Sequence, residues 1–305
     1  MANAIVEALE KAAERVGKTL SQDAGKAVED MYRSAGKGTE DVVKRITEAD
    51  AEHAGKLVAL AEKLGKGGGK ELTGDAEKAE QASLRSKFST ILDPEGSWEG
   101  PNGLHLSRDE NAAADQFLAR AKSAESQISP KIMDIKNDVP GAETMGYPDY
   151  VLKDPESFKR KFASTLDESP TRDLGPALAD MKDSVRYTLK LPGEGSAYSD
   201  GVNSVVDRFH SAGFENVKFK NSWGSPAYQG INSFWRDPQS GRVFEMQFHT
   251  QESFDAKMVT HGLYEEARLP GVDDARFQEL EDQQNQIFGA VPRPSGASQI
   301  KLPER

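Results

Sequence analysis

The chain has 305 residues, a formal net charge of −11 and no cysteine. The acidic balance argues against nonspecific binding to a DNA backbone, and the lack of thiols excludes disulfides, thiolate zinc centres and cysteine nucleophiles. No run approaches the roughly 18 apolar residues of a membrane helix, and the opening MANAIVEALEKAAERVGK lacks the pattern of an ordinary signal peptide, so a soluble chain of about two structural units is expected.

Residues 1–92 are rich in Ala, Glu, Lys and Asp and read as a helical leader region, with helices over 2–19, 23–35 and 38–64. In the third, Val42, Val43, Ile46, Leu57 and Leu60 form a stripe at helical spacing that needs a partner. GKGGGK at 65–70 predicts a flexible linker, and a further helix follows over 75–88. A Pro/Gly-rich boundary spans 92–106, and Ser107 with Glu110 forms a capping-box pattern opening a helix over 107–135. Beyond Pro140 aromatics and β-branched residues alternate with helical stretches, which predicts an α+β domain over 103–290. The tail 291–305 is expected to be loosely packed.

Within that domain YVLKDPESFKRKF (150–162) opens a helix, with Asp154 as N-cap, Pro155 at the first position and Glu156 at the positive dipole end. Lys153, Ser157 and Lys161 recur every four residues and are expected on one side of the helix start, with Arg160 beside them. Cations converging with free amide donors suit a polyphosphate, although a solvated basic face has the same pattern. SVRYTLKL (184–191) alternates as a strand, with Arg186, Thr188 and Lys190 on one face, Val185, Tyr187, Leu189 and Leu191 on the other, and Asp183 at its entry. A helix over 200–212 buries Val202, Val205, Val206 and Phe209 and ends at Gly213. A strand over 215–223 places Lys220 near its end.

AYQGINSFWR (227–236) and GRVFEMQFHT (241–250) form a hairpin through DPQSG. Tyr228, Gly230 and Asn232 share a face, and Gly230 leaves room for a ligand to approach the backbone. In the second strand Glu245, Gln247 and His249 oppose Phe244, Met246 and Phe248, which is either a site or a plain solvent face. The last helix, 252–268, places Phe254, Met258 and His261 on one stripe, with Glu265 in reach of His261. HGLYE lacks the HExxH pattern or third ligand of a zinc site. This order of elements predicts a mixed sheet of four or five strands flanked by helices.

Over about 103–270 these segments resemble the RelA/SpoT-type alarmone synthetases. That family carries a basic donor segment, matched by Lys153, Ser157 and Lys161; an acidic residue before an arginine on a strand, matched by Asp183 and Arg186; a tyrosine segment, matched by YQGIN with Tyr228; and an E-x-Q-x-[RH]-T strand, matched by EMQFHT with Glu245, Gln247, His249 and Thr250. The following helix carries a histidine, here His261. The wording is closest to the actinobacterial branch, which includes secreted pyrophosphokinases and toxin domains. Departures are Val151 for the opening arginine, Asn232 for a histidine, and an acidic residue three positions before Arg186, with Asp180 as the alternative. No histidine–aspartate pair of the family's hydrolase is found, so a synthetase alone is implied.

The resemblance implies transfer of pyrophosphate from ATP to the 3′-hydroxyl of a purine nucleotide, making (p)ppGpp- or (p)ppApp-type products. It implies Mg²⁺ held by Asp183 and Glu245, with Glu245 also helping to deprotonate the hydroxyl. Lys153, Ser157, Arg160, Lys161 and Arg186 would bind ATP. Tyr228 would stack on the acceptor base, and Lys220, Gln247, His249 and His261 would hold the acceptor. It also implies a secreted or delivered effector, otherwise a cytoplasmic protein, with an immunity protein as partner. Alternative readings are a toxin that pyrophosphorylates the tRNA 3′ end, against which the acidic balance counts, a catalytically dead nucleotide-binding module, and a helical adaptor.

Overall fold

The computed structural model describes residues 4–34, 39–68, 74–226, 228–267 and 272–302. Contacts divide the chain into two compact units, Met1–Phe117 with Pro155–Met181, and Leu118–Asp154 with Lys182–Arg305.

The first unit opens with α1 (Ala4–Arg15), α2 (Gln22–Ser34), α3 (Thr39–Glu48), α4 (Ala51–Gly68) and α5 (Asp75–Leu92). They bury Leu9, Ala12, Val28, Ile46, Leu57, Ala61 and Phe88 in one core. The single helix expected over 38–64 is two, because Asp50 caps a new start: its carboxylate accepts from the His53 amide and meets the His53 ring, each at 2.8 Å. The expected linker at 65–70 is also corrected, since α4 continues through Gly68. Gly65 serves packing there: a Cβ at that position would stand 2.5 Å from the Ala24 amide nitrogen on α2. Residues 69 and 70 lie outside the described residues.

A short antiparallel pair, β1 (Trp98–Glu99) and β2 (His105–Leu106), precedes α6 (Arg108–Asn137). The capping box forms as expected: the Ser107 amide donates to Glu110 Oε2 at 2.7 Å, and the Glu110 amide to Ser107 Oγ at 3.5 Å. Glu110 is buried and also accepts from Arg172 Nε at 2.9 Å and from Ser86 Oγ at 2.9 Å. The first unit closes with α7 (Pro155–Glu168) and α8 (Leu174–Ala179). Phe158 of α7 stacks on Phe117 with ring centroids 5.3 Å apart. The contacts therefore draw the division elsewhere than composition does: residues 155–181 pack with the N-terminal helices.

The second unit is α+β. Its strands are β3 (Glu143–Thr144), β4 (Arg186–Lys190), β5 (Glu215–Asn221), β6 (Ile231–Arg236) and β7 (Val243–His249), and its helices α9 (Ala197–Ser211), α10 (Gln251–Ala267) and α11 (Asp274–Gly289). The sheet order is β3-β4-β7-β6-β5, with β4 and β7 parallel and the other pairs antiparallel. This is the mixed sheet expected from the alternation of the four longer strands. Its apolar face, with Tyr187, Leu189, Phe244, Met246, Phe248 and Trp235, is buried against Val202, Val205, Val206 and Phe209 of α9.

Two local expectations are corrected. Residues 291–302 are packed, not loose: Val291, Ala297 and Ile300 are buried, and Asn221 Nδ2 donates to the Ala297 and Ile300 carbonyls at 2.8 and 3.1 Å. In α10 the buried residues are Ser253, Ala256 and Thr260, whereas Met258 is 58% exposed and His261 is exposed, so the Phe254/Met258/His261 stripe is not the packing face. No described helix is long and apolar enough to cross a membrane.

Candidate active site

The parallel pairing of β4 with β7 sets Arg186 opposite Glu245 and Thr188 opposite Gln247. Antiparallel β6 sets Asn232 opposite Gln247, and β5 sets Lys220 opposite Asn232. Because side chains alternate along each strand, Thr188, Gln247, Asn232 and Lys220 make one polar row across four strands, with Arg186 and Glu245 one step along it. The polar face expected from EMQFHT is therefore continuous with that of SVRYTLKL.

At the centre is a charge cluster. Arg186 Nε donates to Glu245 Oε2 at 2.6 Å and its Nη2 to Asp183 Oδ2 at 3.1 Å. Lys153 Nζ donates to the same Asp183 oxygen at 2.7 Å. Glu245 is only 4% exposed, and its other oxygen accepts from Gln247 Nε2 at 2.8 Å. Burial disfavours the Arg186 charge, but Glu245 and Asp183 outweigh it and hold its pKa above the ordinary value.

Lys153 reaches this cluster from an extended segment. Leu152 bridges Val185, and the Lys153 amide donates to the Ser184 carbonyl at 3.1 Å. It thus stands outside the helix, which corrects the expected Lys153/Ser157/Lys161 helical face. Ser157, Arg160 and Lys161 lie on α7 in the first unit, where Arg160 Nη2 donates to Ser157 Oγ at 3.0 Å. Asp180 ends α8 in that unit, so Asp183 is the acidic residue of the cluster. Val151 is 3% exposed, in the core of the second unit.

A second, neutral network adjoins the row. Tyr228 Oη donates to Asn232 Oδ1 at 2.9 Å and meets His249 Nε2 at 2.9 Å, while His249 Nδ1 meets Ser253 Oγ at 2.8 Å. Burial, then Lys257, lowers the His249 pKa to about 3, so the ring is neutral. Burial and Glu245 raise the Tyr228 pKa. His249 is fully buried, with its ring against Tyr228. The space at Gly230 is filled likewise: a Cβ there would stand 2.8 Å from His249 Cε1, so the close approach belongs to this ring and not to a ligand. Lys220 is exposed on β5. His261 is exposed on α10 and forms no hydrogen bond with Glu265 among the described residues, so it is outside both networks.

Sequence reasoning missed Lys257. The Thr250 amide donates to Ser253 Oγ at 3.0 Å and the Ser253 amide to Thr250 Oγ1 at 3.2 Å, a reciprocal cap that starts α10 directly after β7. One turn beyond Ser253, Lys257 Nζ donates to Gln247 Oε1 at 2.5 Å, and Thr188 Oγ1 donates to the same atom at 3.2 Å. Burial, then Arg186, draws the Lys257 pKa down to about 8. The usable signal was its spacing of four from Ser253.

Among the described residues no three His, Asp or Glu side chains gather as a metal cluster. Two carboxylates, Asp183 and Glu245, do converge on Arg186. That donor set fits Mg²⁺, which takes one or two carboxylates and completes its shell with water and substrate phosphates.

No family profile and no curated protein matches the chain. Among solved structures it is similar to a GTP pyrophosphokinase family protein from Streptococcus pneumoniae, with a TM-score of 0.41 and 15% identity over 57% of this chain and 87% of that one. It is also similar to small alarmone synthetase 1 from Bacillus subtilis bound to its product pppGpp, with a TM-score of 0.37 and 14% identity over 57% of this chain and 90% of that one.

Proposed function

We propose that the second unit carries a nucleotide 3′-pyrophosphokinase site that moves the β,γ-pyrophosphate of ATP to the 3′-hydroxyl of a purine nucleotide. The observation that carries this reading is the Asp183–Arg186–Glu245 cluster on paired parallel strands, with Lys153 on Asp183. The ordered motifs of the sequence give that cluster its chemistry.

In this reaction the 3′-oxygen attacks the β-phosphorus, a new O–P bond forms, the bond from the α–β bridging oxygen to the β-phosphorus breaks, and AMP leaves. Negative charge grows on phosphate oxygens, so positioned cations dominate the rate. Arg186 and Lys153, now on carboxylates, neutralise the donor phosphates. Glu245 accepts the hydroxyl proton and returns it to solvent, and Gln247 orients that carboxylate. The His249–Tyr228–Asn232 network fixes the tyrosine ring for stacking on the acceptor base, with Lys220 and His261 assigned to the acceptor by the motif alone. Mg²⁺ held by Asp183 and Glu245 would supply charge neutralisation and orientation of the donor phosphates.

The test is incubation of the full chain with γ-labelled ATP, Mg²⁺ and, separately, AMP, ADP, GDP, GTP and tRNA, beside Glu245→Gln. A labelled 3′-pyrophosphorylated nucleotide in wild type, reduced by about 10²–10³ in the variant, supports the reading. Label transfer to tRNA alone moves the acceptor to the tRNA 3′ end, and no transfer to any acceptor overturns the enzyme reading. The delivered-effector setting, with an immunity protein, rests on the motif resemblance. Expression in a host cell tests it: wild type arrests growth and Glu245→Gln does not.

A further inference from the structure

The cluster has one cation more than its carboxylates satisfy. Lys153 and Arg186 both bond to Asp183, and Arg186 also bonds to Glu245. Lys257 enters the same row from the inner side of α10, beside buried Ser253, Ala256 and Thr260. Its hydrogen-bond acceptor is the neutral Gln247 amide at 2.5 Å, and the Phe254 ring centroid lies 5.6 Å away. Among the described residues no carboxylate forms an ion pair with it.

A half-buried ammonium bonded to a neutral amide, with the charge of Glu245 only partly offsetting its desolvation, is a standing cost to the fold. Gln247 shows how the site tolerates it. Its Oε1 accepts from Lys257 and Thr188 while its Nε2 donates to Glu245, so the amide relays the lysine's charge towards the carboxylate. A lysine can only donate, so the amide oxygen must face it. The residual positive charge is thus aimed along the row in which Arg186 and Glu245 stand.

We propose that Lys257 is a phosphate-binding residue of this site, leaving Gln247 for the pyrophosphate oxygens of the bound nucleotide. The proposal rests on the pyrophosphate-transfer reading and adds a cation that its motifs do not contain.

Calorimetric titration of the full chain with inorganic pyrophosphate and with ATP tests it, using wild type, Lys257→Met, Lys257→Gln and Lys257→Arg. Loss of a charge-assisted hydrogen bond weakens pyrophosphate binding about 10- to 100-fold in the two neutral variants, with melting temperatures no lower than wild type. Lys257→Arg keeps the affinity within about threefold. Wild-type affinity in both neutral variants overturns the proposal and leaves the enzyme reading standing. Failure of wild type to bind either ligand overturns both. ATP binding without transfer to any acceptor overturns the enzyme reading, while the variant affinities still decide the role of Lys257.

Discussion

Arg186 and Glu245 face one another across the parallel β4–β7 pair and share a 2.6 Å hydrogen bond, while the same guanidinium reaches Asp183 at 3.1 Å. One planar group thus spaces two carboxylates. A lysine is a point donor and cannot serve both from one position. Arg186→Lys is therefore expected to lower turnover by about 10²-fold while leaving the far-ultraviolet circular dichroism unchanged. Initial rates with labelled ATP decide it; turnover within about twofold of wild type means that the fork geometry is unimportant.

Lys257 carries its charge at the expense of stability. Its folded pKa of about 8 lies below the ordinary value of 10.5, because burial and Arg186 outweigh Glu245. The unfolded chain holds the proton more tightly, so this group's contribution to stability rises as pH increases from about 8 towards 10.5. Lys257→Met is expected to melt no lower than wild type at pH 7 and to lack that rise. Melting curves across this pH range check it, and a clear loss of stability at neutral pH contradicts it.

His105 gives the first unit a pH response of its own, on the acid side. It is 4% exposed, neither ring nitrogen has a hydrogen-bond partner among the described residues, and its pKa falls to about 4 through burial and Arg172, with Lys87 adding to them and Asp167 and Glu110 opposing. The folded ring resists a proton that the unfolded ring takes at about 6.5, so stability is lost as pH falls from 6.5 towards 4. The loss amounts to about 2 kcal/mol at pH 5. Thermal unfolding of wild type and His105→Phe between pH 7 and 5 checks it: wild type should lose stability relative to the variant as pH falls, and parallel curves contradict it.

Gly230 has φ +158°, and a Cβ added there would stand 2.8 Å from the His249 ring. Gly230→Ala is expected to cost about 1–3 kcal/mol and to displace His249 from Tyr228. Denaturant unfolding measures the first effect, and a raised acceptor KM the second. A variant as stable as wild type would show that the ring moves aside freely.

Much of this arrangement is legible in the sequence where local pattern decides it. The alternation of Glu245, Gln247 and His249 against Phe244, Met246 and Phe248 sorts the faces of β7, and Ser107 with Glu110 announces α6. Partners set by tertiary packing are not legible. Glycines at 65 and 230 look like freedom, yet each marks a close approach by Ala24 or the His249 ring. The break at Asp50 was written in its side chain but masked by continuing hydrophobic spacing. Lys257 was hidden because α10 buries a polar side, with Ser253 and Thr260. Val151, the departure that invites restoration to arginine, lies in the core at 3% exposure, where a guanidinium would be stranded.

The parallel pairing of β4 with β7 also orders events during synthesis. Arg186 leaves the ribosome long before Glu245, with α9, β5 and β6 made in between. Contacts between such distant segments form late, after the intervening loop has closed. A nascent chain, or one truncated before Val243, carries Asp183 and Arg186 without Glu245. Under the proposed chemistry such a chain is inert, and the cell that makes it meets no nucleotide-consuming activity until the hairpin and α10 are complete.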